Sequence, residues 1–318
     1  MSESAAEVGT TRHRIVIGSF CGIAALWPAA APAGWESVDA GRGAVSVRVP
    51  DAPAPPEGRP LIVLLHGYGA SGFFQELYLQ LSGLAAERGF LYATPDGTLN
   101  PEGKRFWNAT DACCDFYGSG VDDVGYLTGL IDAIDARFGV DPRRVHLFGH
   151  SNGGFMAYRM ACSAAGRLTS AVSLAGATFF DPADCSPSRP VRILQIHGSD
   201  DETILYGGGI LVATPYPGAE QDALTWAAYD GCLDLAATAA PFDAEATIAG
   251  DETEVASWSV GCRGPGAELW TIVGGAHVPS FTATFRQRVL DWFEAAGAAL
   301  FADGFESGDL RAWAPPEP

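Results

Sequence analysis

The chain has 318 residues, of which 47% are hydrophobic and 18% charged, with 19 Lys and Arg against 38 Asp and Glu and a formal net charge of −19. This composition supplies one sizeable α/β core and excludes a chain that is disordered throughout. The shortage of cations, among which Lys104 is the one lysine, excludes a nucleic-acid footprint and docking on anionic lipid.

The N-terminus reads as a secretory leader. Arg12 and Arg14 precede an apolar run, Ile15–Trp27, which is too short for the ~20 residues of a membrane helix. Ala31-Pro32-Ala33 then forms an A-x-A-like cleavage site. Residues 1–33 are therefore set apart as a signal peptide, and the mature chain is expected to be secreted, extracellular or periplasmic. Cys21 lies in the leader. The six remaining cysteines, Cys113, Cys114, Cys162, Cys185, Cys232 and Cys262, form an even set that suits disulfides in an oxidising compartment. Cys113 and Cys114 are adjacent and are expected to reach separate partners. No C-x-x-C pair points to a metal.

Along the mature chain, Gly43–Val49 alternates like an edge strand, and Asp51–Gly58 is a loop. Pro60–Leu65 is a continuous apolar run, the mark of a strand buried on both faces. Phe73–Glu87 has helical spacing, and Phe90–Thr94 is a short strand. Residues 98–119 are irregular and aromatic. Asp122–Phe138 is an amphipathic helix capped by Asp122. Val145–Phe148 is a strand, Asn152–Ala164 a helix and Ser170–Leu174 a strand. Val191–Ile196 is a strand followed by a glycine-rich loop at Gly207–Gly209. Gln221–Asp230 is a helix, Thr253–Val260 and Glu268–Val273 are strands, and Thr282–Ala296 is the last helix. Strands alternating with helices give an α/β fold with a mainly parallel central sheet. The domain spans residues 34–297, and residues 298–318 form a C-terminal extension of different character.

Gly149-His150-Ser151-Asn152-Gly153 follows an apolar strand and opens a helix. That context makes it a nucleophile elbow, a turn that lifts a serine oxygen above the sheet. A serine needs a base to take its proton, and the elbow expects the order Ser, acid, His. Two histidines follow Ser151. His197 ends a strand and reads as a structural residue bonding the loop that follows. His277 lies in a glycine-rich loop before the final helix, where a base would swing over the serine. Asp200, Asp201 and Glu202 follow His197, and Asp201 is chosen as the acid that orients the base. His66, His146 and His150 read as structural. The oxyanion needs two main-chain donors. One is the N–H of Asn152; the other is that of Tyr68, in the loop Leu65–Gly69 after the first buried strand. The ring of Tyr68 is expected to wall the acyl site, with Tyr206 as a further substrate contact; Trp107 either contacts substrate on the alcohol side of the cleft or packs the long loop.

These pieces together resemble the polyhydroxybutyrate depolymerase/feruloyl esterase family of α/β-hydrolases. The resemblance rests on Leu65–Gly69, Pro95–Gly97, Phe106–Asn108, Cys113-Cys114, Val121–Tyr126, Gly149–Gly154, Ile196–Asp201 and Gly274–His277, and runs from about Pro60 to Gly297. It implies an α/β-hydrolase fold with helices on both faces of the sheet, and it places the acid on Asp201. It also implies a Cys232–Cys262 bridge, which leaves Cys113 and Cys114 to pair with Cys162 and Cys185 in an unassigned order. The resemblance implies a secreted serine esterase that works through an acyl-enzyme, without cofactor, metal, nucleic acid or membrane. Hydroxyalkanoate oligomers or polyester stand first as substrate. Feruloyl or acetyl esters of plant cell-wall polysaccharide are the alternative, and a catalytically silent binding protein is the rival class.

Overall fold

The computed structural model describes the backbone of residues 34–302 and the side chains of residues 34–296. Residues 1–33, expected from the sequence to be a signal peptide, and residues 303–318 lie outside the described residues. In chain order the strands are β1 (Gly34–Asp39), β2 (Ala44–Val49), β3 (Arg59–Leu65), β4 (Leu91–Thr94), β5 (Thr98–Leu99), β6 (Arg105–Phe106), β7 (Val140–His150), β8 (Ser170–Leu174), β9 (Arg192–Gly198), β10 (Gly209–Leu211), β11 (Thr214–Tyr216), β12 (Ala237–Phe242), β13 (Thr253–Trp258) and β14 (Ala267–Ile272). The α-helices are α1 (Gly72–Leu79), α2 (Ser82–Glu87), α3 (Asp123–Phe138), α4 (Asn152–Ser163), α5 (Ala219–Tyr229) and α6 (Ala283–Ala302).

Ten strands form one sheet in the order β1-β2-β4-β3-β7-β8-β9-β14-β13-β12. The six central strands from β4 to β14 are parallel, and antiparallel pairs flank them on both sides. Every residue of β3 is buried, as a strand covered on both faces requires. Its side chains alternate between two cores. Leu61, Val63 and Leu65 join the core that includes residues of α3, α4 and α5. Ile62 and Leu64 join the core that includes residues of α1, α2 and α6. Helices therefore cover both faces, and the loops after β3, β8, β9 and β14 gather at one end of the sheet. Among the described residues, no helix is long and apolar enough to cross a membrane.

Several sequence expectations are corrected. The strand at Ala44–Val49 is interior, because β1 pairs along its outer side. The span Phe73–Glu87 is two helices. Gln80 adopts φ 54° and ψ 44° and closes α1, its N–H donating to the carbonyl of Glu76 at 2.7 Å. The Glu76 carboxylate accepts the N–H of Ser82, the first residue of α2, at 3.0 Å. Strand β12 had no sequence signal: five of its six residues are exposed, so no apolar alternation marks it. Helix α6 continues past Gly297 to Ala302.

The cysteines form three bridges, Cys113–Cys114, Cys162–Cys185 and Cys232–Cys262. The first corrects the expectation that the adjacent pair diverges. The peptide between Cys113 and Cys114 is cis, and their Cα atoms lie 3.1 Å apart, closer than the 3.80 Å of a trans link. Cys162 and Cys185 are thereby left for each other. Their Cα atoms are 5.6 Å apart, inside the usual disulfide range.

Beside the Cys232–Cys262 bridge, Asp230 ties the end of α5 to the turn before β14. Its carbonyl accepts the N–H of Arg263 at 2.8 Å, and its carboxylate accepts the N–H of Gly266 at 2.8 Å. Burial pushes its pKa up to about 6, against the opposing pull of the Gly266 N–H. A folded-state pKa above the unfolded value means that this group's contribution is full below about 4 and is lost as pH rises through 6. Asp230→Asn keeps an acceptor for Gly266 and removes the charge. Thermal unfolding should give equal Tm values for variant and wild type at pH 4, and a higher Tm for the variant at pH 7.5.

Candidate active site

Strand β7 ends at His150, and Ser151 turns the chain into α4 with φ 54° and ψ −121°. A non-glycine residue held there stores about 1–3 kcal/mol, so the surroundings must fix it. The Ser151 N–H donates to the carbonyl of Leu174 at 2.8 Å. Its carbonyl accepts the N–H groups of Gly154 (2.7 Å) and Phe155 (3.0 Å). The turn closes tightly because Gly149 and Gly153 lack side chains: a Cβ on Gly149 would run into the carbonyl of Gly153, and one on Gly153 into that of Leu65.

The Ser151 hydroxyl faces His277 Nε2 at 3.0 Å, and His277 Nδ1 faces Asp201 Oδ2 at 2.7 Å. Asp201 is buried, and its Oδ1 accepts the N–H groups of Thr203 and Ile204, both at 2.8 Å. Burial works to raise the Asp201 pKa, but the neighbouring His197 and the hydrogen bonds from His277 and the Ile204 N–H outweigh it and hold the carboxyl well below the usual range. An ionised carboxylate only accepts. The His277 proton therefore sits on Nδ1, and Nε2 is free to accept the serine proton.

The loops that carry these two groups interlock. Gly274 N–H donates to Ser199 Oγ at 2.7 Å, and Asp200 N–H to the carbonyl of Gly275 at 3.0 Å. Two further anchors come from distant parts of the chain. His150 Nε2–H donates to the carbonyl of His277 at 3.0 Å, and the Tyr78 hydroxyl to the carbonyl of Pro279 at 2.8 Å. Burial, aided by the neighbouring His277, pushes the His150 pKa down to about 4, so at neutral pH it is an uncharged donor. These two anchors were missed in the sequence. His150 read as structural with no stated partner, and Tyr78 carried no motif.

The loop after β3 lies against the serine: a Cβ built on Gly67 would meet Ser151 Cβ at 3.4 Å. Gly67 N–H is taken by Gln75 Oε1 at 3.2 Å and Gly69 N–H by the carbonyl of Arg105 at 2.8 Å. Tyr68 N–H lies between them. Among the described residues, no protein acceptor takes it or the N–H of Asn152. These are the two N–H groups singled out in the sequence as oxyanion donors.

The side chain of Asn152 has work of its own. Its Oδ1 accepts the N–H of Trp107 at 2.8 Å, and its Nδ2 donates to the carbonyl of Trp107 at 2.9 Å and approaches Cys113 Sγ at 3.5 Å. This pairing clamps the irregular segment 98–119 to the elbow. It also decides between the two readings of Trp107, against a substrate contact. That ring is fully buried, stacks on Tyr126 and donates through Nε1 to the carbonyl of His66 at 3.1 Å, so it supports the site from beneath and does not line a cleft. Tyr206 is half-buried. Its ring meets His197 edge-on and its hydroxyl bonds Thr271 Oγ1 at 2.8 Å, so it braces the acid loop. The Tyr68 ring is partly exposed beside Phe116, with its hydroxyl accepting from Asn100 Nδ2 at 2.7 Å.

No protein-family model matches the chain. The chain is 34% identical over 152 residues to a protein of Nocardia uniformis subsp. tsuyamanensis that carries the name of an esterase, NocK; the match covers 48% of this chain and 43% of that one. It is 29% identical over 196 residues to feruloyl esterase B of Piromyces equi, covering 59% of this chain and 35% of that one. The chain thus spans less than half the length of these curated relatives. The acetyl xylan esterase of Aspergillus awamori superposes with a TM-score of 0.57 at 16% identity, over 82% of this chain and 99% of the other. The chain has the α/β-hydrolase fold.

Asn152→Ala keeps the main-chain N–H but loses both bonds to Trp107. The Trp107 carbonyl keeps the Cys114 N–H at 3.2 Å, but the buried Trp107 N–H is left unpaired, which costs about 1–3 kcal/mol, and Tm is expected to fall by roughly 2–10 °C. Thermal unfolding checks this, and an unchanged Tm would show that the clamp holds nothing.

Proposed function

We propose that the protein is a secreted serine carboxylic-ester hydrolase acting on feruloyl or acetyl esters of plant cell-wall polysaccharide. The observation that carries the reading is the run Ser151–His277–Asp201, with contacts of 3.0 and 2.7 Å, set beside two main-chain N–H groups that have no protein acceptor among the described residues.

In this reading Ser151 Oγ attacks the ester carbonyl as its proton passes to His277 Nε2. Asp201 stays ionised and balances the imidazolium. The N–H groups of Tyr68 and Asn152 take up the charge on the tetrahedral oxygen. His277 gives its proton to the leaving alcohol, and the Ser151 acyl-enzyme remains. Water, with its proton drawn off by the same nitrogen, releases the acid and restores the serine. Each residue involved comes from this chain, and the cycle balances without a cofactor.

The choice of ester rests on the relatives. Two of the three reported above carry the names feruloyl esterase and acetyl xylan esterase, and a further relative in Neocallimastix patriciarum is named as a bifunctional acetylxylan esterase/xylanase. They favour the cell-wall ester over the polyester that the sequence placed first. Three disulfides support an oxidising, extracellular or periplasmic setting.

Initial rates on methyl ferulate, acetylated xylan and a 3-hydroxybutyrate oligomer test this. Turnover of ferulate or acetyl esters is expected, with kcat at least about 10³-fold lower in Ser151→Ala. A marked preference for the hydroxybutyrate oligomer would reinstate the polyester reading. Equal rates for wild type and Ser151→Ala on all three would point to the silent scaffold.

A further inference from the structure

Asp201 has a second histidine beside it. His197, fully buried at the end of β9, places Nε2 3.4 Å from Asp201 Oδ2, the oxygen that also receives His277. The protonation of His197 can be read from its surroundings. Gln195 Nε2 lies 2.9 Å from the carbonyl of Gly176, which can only accept, so the amide end of Gln195 must point there. Its oxygen in turn accepts the Tyr158 hydroxyl at 2.9 Å. The amide's other proton faces His197 Nδ1 at 2.9 Å, so Nδ1 accepts. The ring proton must then lie on Nε2. The carbonyl of Ile204, 2.7 Å from Nε2, independently requires the same proton. Tyr158, Gln195 and His197 are all buried, so no solvent competes for these bonds.

We infer that His197 is a positioning residue of the catalytic acid. Tyr158 and Gln195 fix it as an Nε2–H donor, and that donor holds the Ile204 carbonyl and the Oδ2 edge of Asp201 in register for His277. Asp201 Oδ1 is held by two main-chain N–H groups, and Oδ2 would otherwise be steered by His277 alone. The His277 side chain is 16% exposed and that of His197 only 2%, so His197 is the neighbour of Oδ2 on the side that solvent does not reach. This reaches beyond the reading of His197 as a strand-end structural residue, and it rests on the esterase reading of Ser151, His277 and Asp201.

The test uses the rate at which a fluorophosphonate labels Ser151, with kcat and KM on a soluble aryl ester and the downfield proton resonance of His277 Nδ1–H. His197→Phe keeps a ring and removes the donor. Labelling and kcat should fall about 10–100-fold with KM unchanged, and the resonance should shift. His197→Gln restores a donor near the place of Nε2 and should recover most of the rate. Gln195→Met leaves the Ile204 carbonyl to hold the Nε2 proton but removes the donor that pins Nδ1, and the loosened ring should slow labelling several-fold even if His197→Phe does not fold. Folded His197→Phe or Gln195→Met labelling at the wild-type rate would overturn the positioning role while leaving the esterase reading intact. A wild type that is not labelled at all would overturn the esterase reading and this inference with it.

Discussion

The end of the sheet where Ser151, His277 and Asp201 meet depends on Ser151 keeping a backbone conformation that an L-residue avoids. Its φ of 54° is tolerated because its N–H is bonded across to β8 and its carbonyl starts the hydrogen-bond ladder of α4. Glycines on both sides of the elbow then let the β3 loop and the β8 loop come to main-chain contact distance. The same turn that lifts the hydroxyl clear of the sheet exposes the Asn152 N–H at the start of a helix, where unpaired donors face outward. The proposed nucleophile and the proposed oxyanion donor are thus consequences of one constraint.

Around that fixed point the other groups are held by loops that bind one another. The acid loop after β9 and the base loop after β14 exchange main-chain and Ser199 hydrogen bonds. Parallel pairing of β9 with β14 sets the two loops side by side. The elbow contributes His150, and α1 contributes Tyr78. The base is therefore located by the strand that carries the acid, by the turn that carries the nucleophile and by a helix from the far side of the sequence. Beneath the turn, the amide of Asn152 holds Trp107 and the segment that bears the Cys113–Cys114 bridge. The chemistry rests on a platform whose parts are each hydrogen-bonded to the next.

Much of this is legible in the sequence. Strands buried on both faces leave long apolar runs, so Pro60–Leu65 and Val145–Phe148 announced the sheet. The elbow has a fixed spacing, and chain order after Ser151 left few choices for acid and base. Other features lacked a local signal. Gln80 breaks a helical pattern without a glycine or proline, since burying both Leu79 and Leu81 demands a turn that composition does not show. The His150 and Tyr78 anchors join residues 127 and 201 positions apart, and no periodicity records such pairs. Trp107 reads equally as a cleft residue or as packing for the long loop. Its burial follows from the Asn152 amide, whose partner lies 45 positions away.

The central claim is geometric: one carbonyl oxygen, bound at Ser151, falls between the N–H groups of Tyr68 and Asn152. A crystal structure of the protein phosphonylated at Ser151 tests it most directly, because the phosphoryl oxygen stands in for the tetrahedral oxyanion. The account predicts that oxygen within about 2.7–3.1 Å of both N–H groups, with His277 Nε2 still turned toward Ser151 Oγ. A phosphoryl oxygen that points to solvent, or that bonds to other donors while Tyr68 N–H stays unused, would contradict it.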